Sequence, residues 1–469
     1  MRQFSTKLLI LLLVALSFVN NTQARFVSGF VKSGKQPIPE VAVTDGLHFT
    51  ITDRQGNYSI DISPIAKFIY IVTPSGYIAD YSSGIPQFYQ KIMPEISKYN
   101  FQLKPINGKK NQTLMIGMAD TQIANSHDCS RMRQETLPDI HQLIHNHNDY
   151  QVAAFIAGDI TWDAYSLNDS IKSYAKQLSI PLYPVIGNHD YDKFMTGDES
   201  ADYAHLYEDS FGPTYYAFWF GDACYVMLNN IKYKGHKKYE CTLEQGNQMT
   251  WVRNLLTEVL QMNTRVIVVM HAPIFTWSCE SLIPGGKQLS DLLISHRGEI
   301  FSGHYHTMRH LSIRNGLSEH NLGAVCGFWW SGNVSGDGTP NGYEVIESRD
   351  SIIHENYKST GHDLDYQFRL YRPGQIADRP NDYVVEIWDW SSGWSAVWFE
   401  DGCFKGNLKQ FYSYDPEYLS QIHGALTTGD YVPRRVNRFF AFHSSEDAHH
   451  VKLVVTDSNG KQYISDFDK

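Results

Sequence analysis

Cysteine is scarce in this chain, with six among 469 residues, and no two form a CxxC pair. That pattern does not support a disulfide-built scaffold, a thiolate metal site or a dithiol redox centre. Cys224 and Cys241 lie near enough in sequence for a local bridge, with buried free thiols as the equal alternative. An excess of basic residues is lacking too: 40 Lys and Arg stand against 50 Asp and Glu, a formal net charge of −10. So acidic a chain is a poor general binder of nucleic acid. Beyond residue 24 no stretch is apolar enough to cross a bilayer, which takes about 20 such residues. Low-complexity segments are also missing.

The first 24 residues have the layout of a secretory leader. Arg2 and Lys7 form the positive end, residues 8–18 the apolar stretch, and Thr22-Gln23-Ala24 a small-residue exit. The apolar stretch is short for a membrane anchor, so an exported, periplasmic or extracellular protein is expected. Residues 25–106 alternate in strand fashion around turns at Asp45-Gly46 and at residues 52–58, and read as a β-sandwich. This stretch resembles the carboxypeptidase-regulatory or transthyretin-like module and carries no catalytic pattern of its own. Residues 104–113 are polar and read as a linker. Helical spacing occurs at 131–147, where Pro138 places the start late, at 243–260 and at 288–294. Residues 214–227 read as a hairpin around Gly221-Asp222. From about 336 the pattern turns strand-like to the end, and Asp457-Ser458-Asn459-Gly460 echoes the turn at Asp53. The expected domains are 25–106, 112–335 and 336–469.

The middle section carries the chemistry. Five short apolar runs each end in residues able to hold a metal ion: Asp120-Thr121-Gln122, Gly158-Asp159, Gly187-Asn188-His189-Asp190, His271, and Gly303-His304-Tyr305-His306. Runs of four to eight apolar residues bounded by turn residues mark buried strands. In open α/β sheets the ligand site lies beyond the carboxyl ends of such strands. Oxygen and imidazole donors therefore gather on one rim, as a two-metal hydrolytic site requires.

In kind, order and spacing, these five motifs resemble the calcineurin-like metallophosphoesterase family over residues 114–310. The resemblance implies an α+β chain whose four-layer αββα core is flanked by an N-terminal β-sandwich and a C-terminal β-rich domain. It also implies two divalent ions bridged by Asp159. Asp120 and His306, with Gln122, would hold one ion, and Asn188, His271 and His304 the other. A metal-bridged hydroxide would attack phosphorus, His189 would protonate the departing oxygen, and Asp190 would orient His189. Gln122 stands where the family usually has His. An amide oxygen is a harder donor than imidazole, which favours Mn²⁺, Fe or Mg²⁺ over Zn²⁺.

The expected activity is hydrolysis of small phosphomonoesters or phosphodiesters, with sugar- or lipid-linked substrates suited to aromatic walls at Phe275-Thr276-Trp277 and Gly327-Phe328-Trp329-Trp330. Packing between domains is the competing role for those aromatics. Asp163, Arg131 and Arg133 read as cap or rim residues, and His127, His141, His145 and His147 as surface or structural ones. Two other readings use the same residues: a binding or adhesion protein with a degenerate phosphoesterase domain, which Gln122 favours, and a hydrolase of pyrophosphate bonds.

Overall fold

In a computed structural model, residues 25–106, 112–197, 202–314, 316–350, 352–422 and 435–469 are described. The leader expected over residues 1–24 and the middle of the linker lie outside them. Among the described residues no helix is long and apolar enough to cross a membrane.

The five apolar runs form strands. Gln112–Met118, Gln151–Ala157 and Leu182–Val185 pair in parallel as neighbours in one sheet. Arg265–Met270 and Arg297–Ser302 pair in parallel in a second, six-stranded sheet. Parallel strands covered on both faces are apolar throughout rather than alternating, which is why these runs are continuous. Alternate side chains nonetheless enter different layers. Met115, Ala153 and Phe155 point between the sheets, where the ring of Phe155 meets that of Phe301 of the second sheet (6.1 Å). Leu114, Ile116, Ala154 and Ile156 point outward to Ile140, Leu143, Ile171 and Leu178 on the covering helices Leu137–Asn146 and Asn168–Leu178. The other sheet is covered by Gln248–Asn254 and Gly286–Leu293, giving the four expected layers.

Several boundaries differ from expectation. The first helix starts at Ser126, capped by the Asn125 side chain, rather than late. Pro138 lacks an amide hydrogen, and the π-helical turn Met132–Thr136 precedes it, where Leu137 N donates to Met132 O. The wider turn relieves the clash that proline brings to an α-helix. The core also runs past residue 335: Gly342–Arg349 pairs with Gln112–Met118, and Ile352–Ser359 adds the sheet's last strand. Cys224 and Cys241 are both free.

The N-terminal sandwich shares its core with the second sheet's side of the catalytic section, one cluster running from Val27 to Ile346. Trp251 joins them: it is fully buried, donates to Thr44 Oγ1 (3.1 Å) and stacks on Phe49. The C-terminal part packs two four-stranded sheets face to face around Tyr383, Val385, Phe440, Leu453 and Val455. The turns at Asp53 and Asp457 share one hydrogen-bond pattern, the carboxylate accepting from the amides two and four residues on.

If Trp251 fastens the N-terminal sandwich to the core, Trp251→Ala lowers unfolding free energy by about 3–5 kcal/mol in a denaturant titration. A loss under about 1 kcal/mol would mean that the sandwich is only loosely docked.

Candidate metal centre

After three of the five strands the backbone changes direction sharply and turns polar side chains inward. Asp120, Gln122, Asp159, His304 and His306 all have left-handed backbone, with φ of 51°, 38°, 49°, 72° and 49°. For residues other than glycine such angles cost about 1–3 kcal/mol each and persist where surrounding structure enforces them. Two glycines make the approach close enough. Gly158 has φ +79°, and a Cβ there would lie 2.5 Å from His271 Nδ1. A Cβ on Gly187 would lie 2.3 Å from Asp159 Oδ1.

The side chains gather in two groups around Asp159. In the first, His271 Nδ1 donates to Ala157 O (2.8 Å), leaving the lone pair of Nε2 directed inward. That nitrogen lies 3.0 Å from Asn188 Oδ1, 3.3 Å from Asp159 Oδ1 and 3.1 Å from His304 Nδ1. Ligand atoms of Asp159, His271 and His304 all fall within 4.8 Å of one another. In the second group, His306 Nδ1 faces Gly327 O (3.2 Å) and Nε2 faces Asp120 Oδ1 (3.5 Å). Asp120 Oδ1 is buried without a hydrogen-bond donor. Asp120 Oδ2 accepts from His304 N (2.9 Å), tying the groups together.

Such a set of acceptors repels itself unless positive charge lies between them. Without a cation a proton must serve. Burial opposes protonation of His271, but the Asp159 carboxylate outweighs it and pushes the imidazole up to about 9. Burial and His271 in turn push His304 down to about 4, since two facing imidazoles cannot both be charged. Burial likewise works against ionisation of Asp159, yet His271 and His189 hold its carboxyl well below the usual range. Carboxylate, amide oxygen and imidazole are donors suited to divalent metals. The donors around Asp159 Oδ1 therefore fit a divalent ion, and Asp120 with His306 would offer donors to a second.

Gln122, expected as an oxygen ligand, donates its amide hydrogen to Asp159 Oδ2 (2.9 Å). Its other end lies near Cys326 Sγ, 3.8 Å from Oε1. Asp190, expected to orient His189, is instead buried and accepts from Gly187 N (2.8 Å), Ile160 N (3.0 Å) and Thr161 N (3.3 Å). It fixes two ligand loops to each other. The carboxylate on His189 is Asp163, 2.8 Å from Nδ1 and 2.6 Å from Lys193 Nζ. Burial raises the Asp163 carboxyl, but hydrogen bonds from His189 and Lys193 bring it below its ordinary value. With Nδ1 committed, His189 has Nε2 left to face the cleft.

That cleft has a volume of about 450 Å³ and is lined by Asp159, Asn188, His189, His304 and His306 together with Trp162, Tyr239, Trp277, Trp329 and Tyr418. A larger groove of about 1300 Å³ lies between residues 131–147 and 358–371, away from these ligands. Of its charged groups, Lys358 pairs with Asp139 (2.7 Å) and Arg369 with Glu417 (2.9 Å). The histidines at 127, 141, 145 and 147 do not line the cleft.

Three family descriptions match consecutive parts of the chain: the N-terminal part of calcineurin-like phosphoesterases at 25–106, the calcineurin-like phosphoesterase core at 116–308, and the C-terminal part at 319–463. The chain belongs to the calcineurin-like phosphoesterase family. It is thus a metallophosphoesterase, a hydrolase of phosphoric ester bonds with a divalent metal centre. No curated protein matches it in sequence. Similar solved structures include a dimetal phosphatase from Danio rerio, at 13% identity and TM-score 0.34, covering 53% of this chain and 96% of that one. A 5'-nucleotidase from Candida albicans matches at 12% identity and TM-score 0.32, covering 54% of this chain and 53% of that one. A 5'-nucleotidase precursor from Thermus thermophilus matches at 12% and 0.30, covering 53% and 54%. None of these likenesses bears on the substrate.

Asp163, Lys193, Tyr239 and Tyr418 were not singled out as site residues by the motifs. A carboxylate four positions after Asp159, on the same loop, was the one signal available for Asp163. Tyr239 comes from a small hairpin and Tyr418 from the C-terminal part, and neither carries a motif.

Gly187→Ala would push a methyl group into Asp159 and misplace the bridge. Turnover of the folded variant should fall by about 10²-fold or more. A folded variant with wild-type activity would remove the close approach from the account.

Proposed function

We propose that the chain is an exported phosphoesterase that uses two divalent ions to hydrolyse a small phosphomonoester or phosphodiester, with His189 as the acid. The observation that supports this most is the meeting, in one cleft, of converging metal-donor atoms and an imidazole braced by a carboxylate. Two divalent ions, when bound, supply charge that polarises the phosphoryl oxygens and lowers the pKa of water. The chain's own residues do the rest. Asp159, Asn188 and the three histidines fix the positions of charge. His189 delivers a proton from Nε2 to the departing oxygen. Asp163 and Lys193 hold its ring so that Nε2 faces the substrate. Asp190 keeps the two ligand loops in register through three backbone N–H groups. Trp162, Trp329 and Trp277 narrow the cleft and limit water.

Export rests on the leader pattern in residues 1–24. Preference for Mn²⁺, Fe or Mg²⁺ over Zn²⁺ rests on Gln122 in place of an imidazole. To act as a ligand, Gln122 must turn its oxygen toward the ion and release Asp159 Oδ2.

Purified protein assayed with nitrophenyl phosphate, bis-nitrophenyl phosphate and a nucleotide sugar, each with added Mn²⁺, should cleave at least one of the two nitrophenyl esters. Cleavage of the nucleotide sugar alone would favour the pyrophosphate reading, and inactivity with no retained metal the binding reading. His189→Ala should lower kcat on an alkyl ester by about 10²–10⁴. Its effect on a nitrophenyl ester should be smaller, because that leaving group needs no proton. Equal losses on both would argue against the acid role.

A further inference from the structure

Trp162 and Trp329 close one side of the cleft. The ring of Trp162 lies 4.9 Å from that of His189, and the ring of Trp329 lies 5.1 Å from that of His306. The two tryptophan rings are 5.5 Å apart, so together they run from the proton donor to a metal ligand. An alcohol leaving from phosphorus toward His189 must pass along these faces. Both rings are half-buried, each keeping part of its surface open.

The wall is held in a costly conformation. Trp329 and Trp330 have φ of 44° and 60°, angles that bulky residues rarely adopt. Trp330 Nε1 donates to Thr121 O (2.8 Å), beside the first ligand loop. Arg131 donates to Trp330 O (2.7 Å) and Gly332 O (2.9 Å), and is itself gripped by both oxygens of Glu135. Leucine on relaxed backbone would suffice to exclude water. Strain enforced beside a reacting centre points instead to a surface that must be flat and correctly aimed.

We propose that Trp162 and Trp329 form the leaving-group subsite, and that the alcohol released carries a ring face able to stack on indole: an aryl or nucleobase ring, or the apolar face of a sugar. This rests on the phosphoesterase reading and narrows its substrate class. In the reaction a water oxygen bonds to phosphorus and the ester P–O bond breaks. The departing oxygen takes the proton of His189, which the proton lost by water restores through solvent. Ring stacking holds the leaving group so that its oxygen meets Nε2.

The test compares phosphate esters of adenosine, glucose and glycerol on wild type, Trp162→Leu and Trp162→Phe, with Mn²⁺ present. Leucine keeps apolar bulk and removes the flat face. Wild type should prefer the adenosine or the glucose ester to the glycerol ester, and which of the two it prefers identifies the kind of ring. Trp162→Leu should lose about 10-fold in kcat/KM on the preferred ring ester, mostly through KM. The glycerol ester should lose clearly less than the ring ester, the unfolding midpoint should hold, and Trp162→Phe should recover most of the ring-ester loss. Equal losses on all three esters in a folded Trp162→Leu protein, or no wild-type preference for a ring, would overturn the subsite. If wild type cleaves none of them, the enzyme reading fails separately. The subsite is then read by tryptophan fluorescence: quenching by a ring phosphate, absent with glycerol phosphate and weakened in Trp162→Leu, supports it, and no quenching refutes it.

Discussion

Lone pairs crowded against one another set the constraint on which the catalytic section depends. His271 Nε2, His304 Nδ1, Asn188 Oδ1 and Asp159 Oδ1 crowd together from four separate loops. No packing of these groups is favourable unless positive charge sits among them. The surrounding features serve that convergence. Parallel strands deliver the loops to one rim, left-handed backbone at Asp120, Asp159, His304 and His306 turns side chains inward, and glycines let neighbouring loops touch. The buried Asp190 binds two of these loops through backbone amides rather than through the chemistry itself.

The outer parts are built into this arrangement rather than strung beside it. The N-terminal sandwich and the second sheet share one continuous apolar cluster, and the sandwich meets that sheet at its edge strand, where Trp219 N donates to Thr73 O (2.9 Å), and at Trp251 of its covering helix. On the other side Tyr418 reaches the cleft and packs edge-on against Phe328. Arg438 pairs with Asp337 (2.7 Å), whose carboxylate also accepts from Met308 N (2.8 Å) two residues past His306. The C-terminal sheets therefore help to set both the mouth of the cleft and the last ligand loop.

The residues that converge beside Asp159 were legible in the sequence because each follows a buried strand, and the signals are local: an apolar run ending in Asp or His, or followed by Gly-Asp, Gly-Asn-His or Gly-His. Contacts between distant segments were not legible. Asp163 and Asp190 are both acidic and both near a ligand, and composition does not say which one meets His189; the sharp turn at Asp159 decides it. The strand Gly342–Arg349 looks like any other strand-former, and only its antiparallel pairing with Gln112–Met118 assigns it to the core. Pro138 was read as a helix boundary because the π-helical turn that accommodates it has no sequence mark. The role of Gln122 depends on which end of one amide faces the carboxylate, which residue identity leaves open.

Anomalous diffraction from crystals loaded with Mn²⁺ tests the central claim most directly. The account predicts two peaks about 3.5–4 Å apart, one on each side of Asp159, the first within reach of Asp120 and His306 and the second within reach of Asn188, His271 and His304. The absence of density beside Asp159, or one ion bound elsewhere on the molecule, would contradict it.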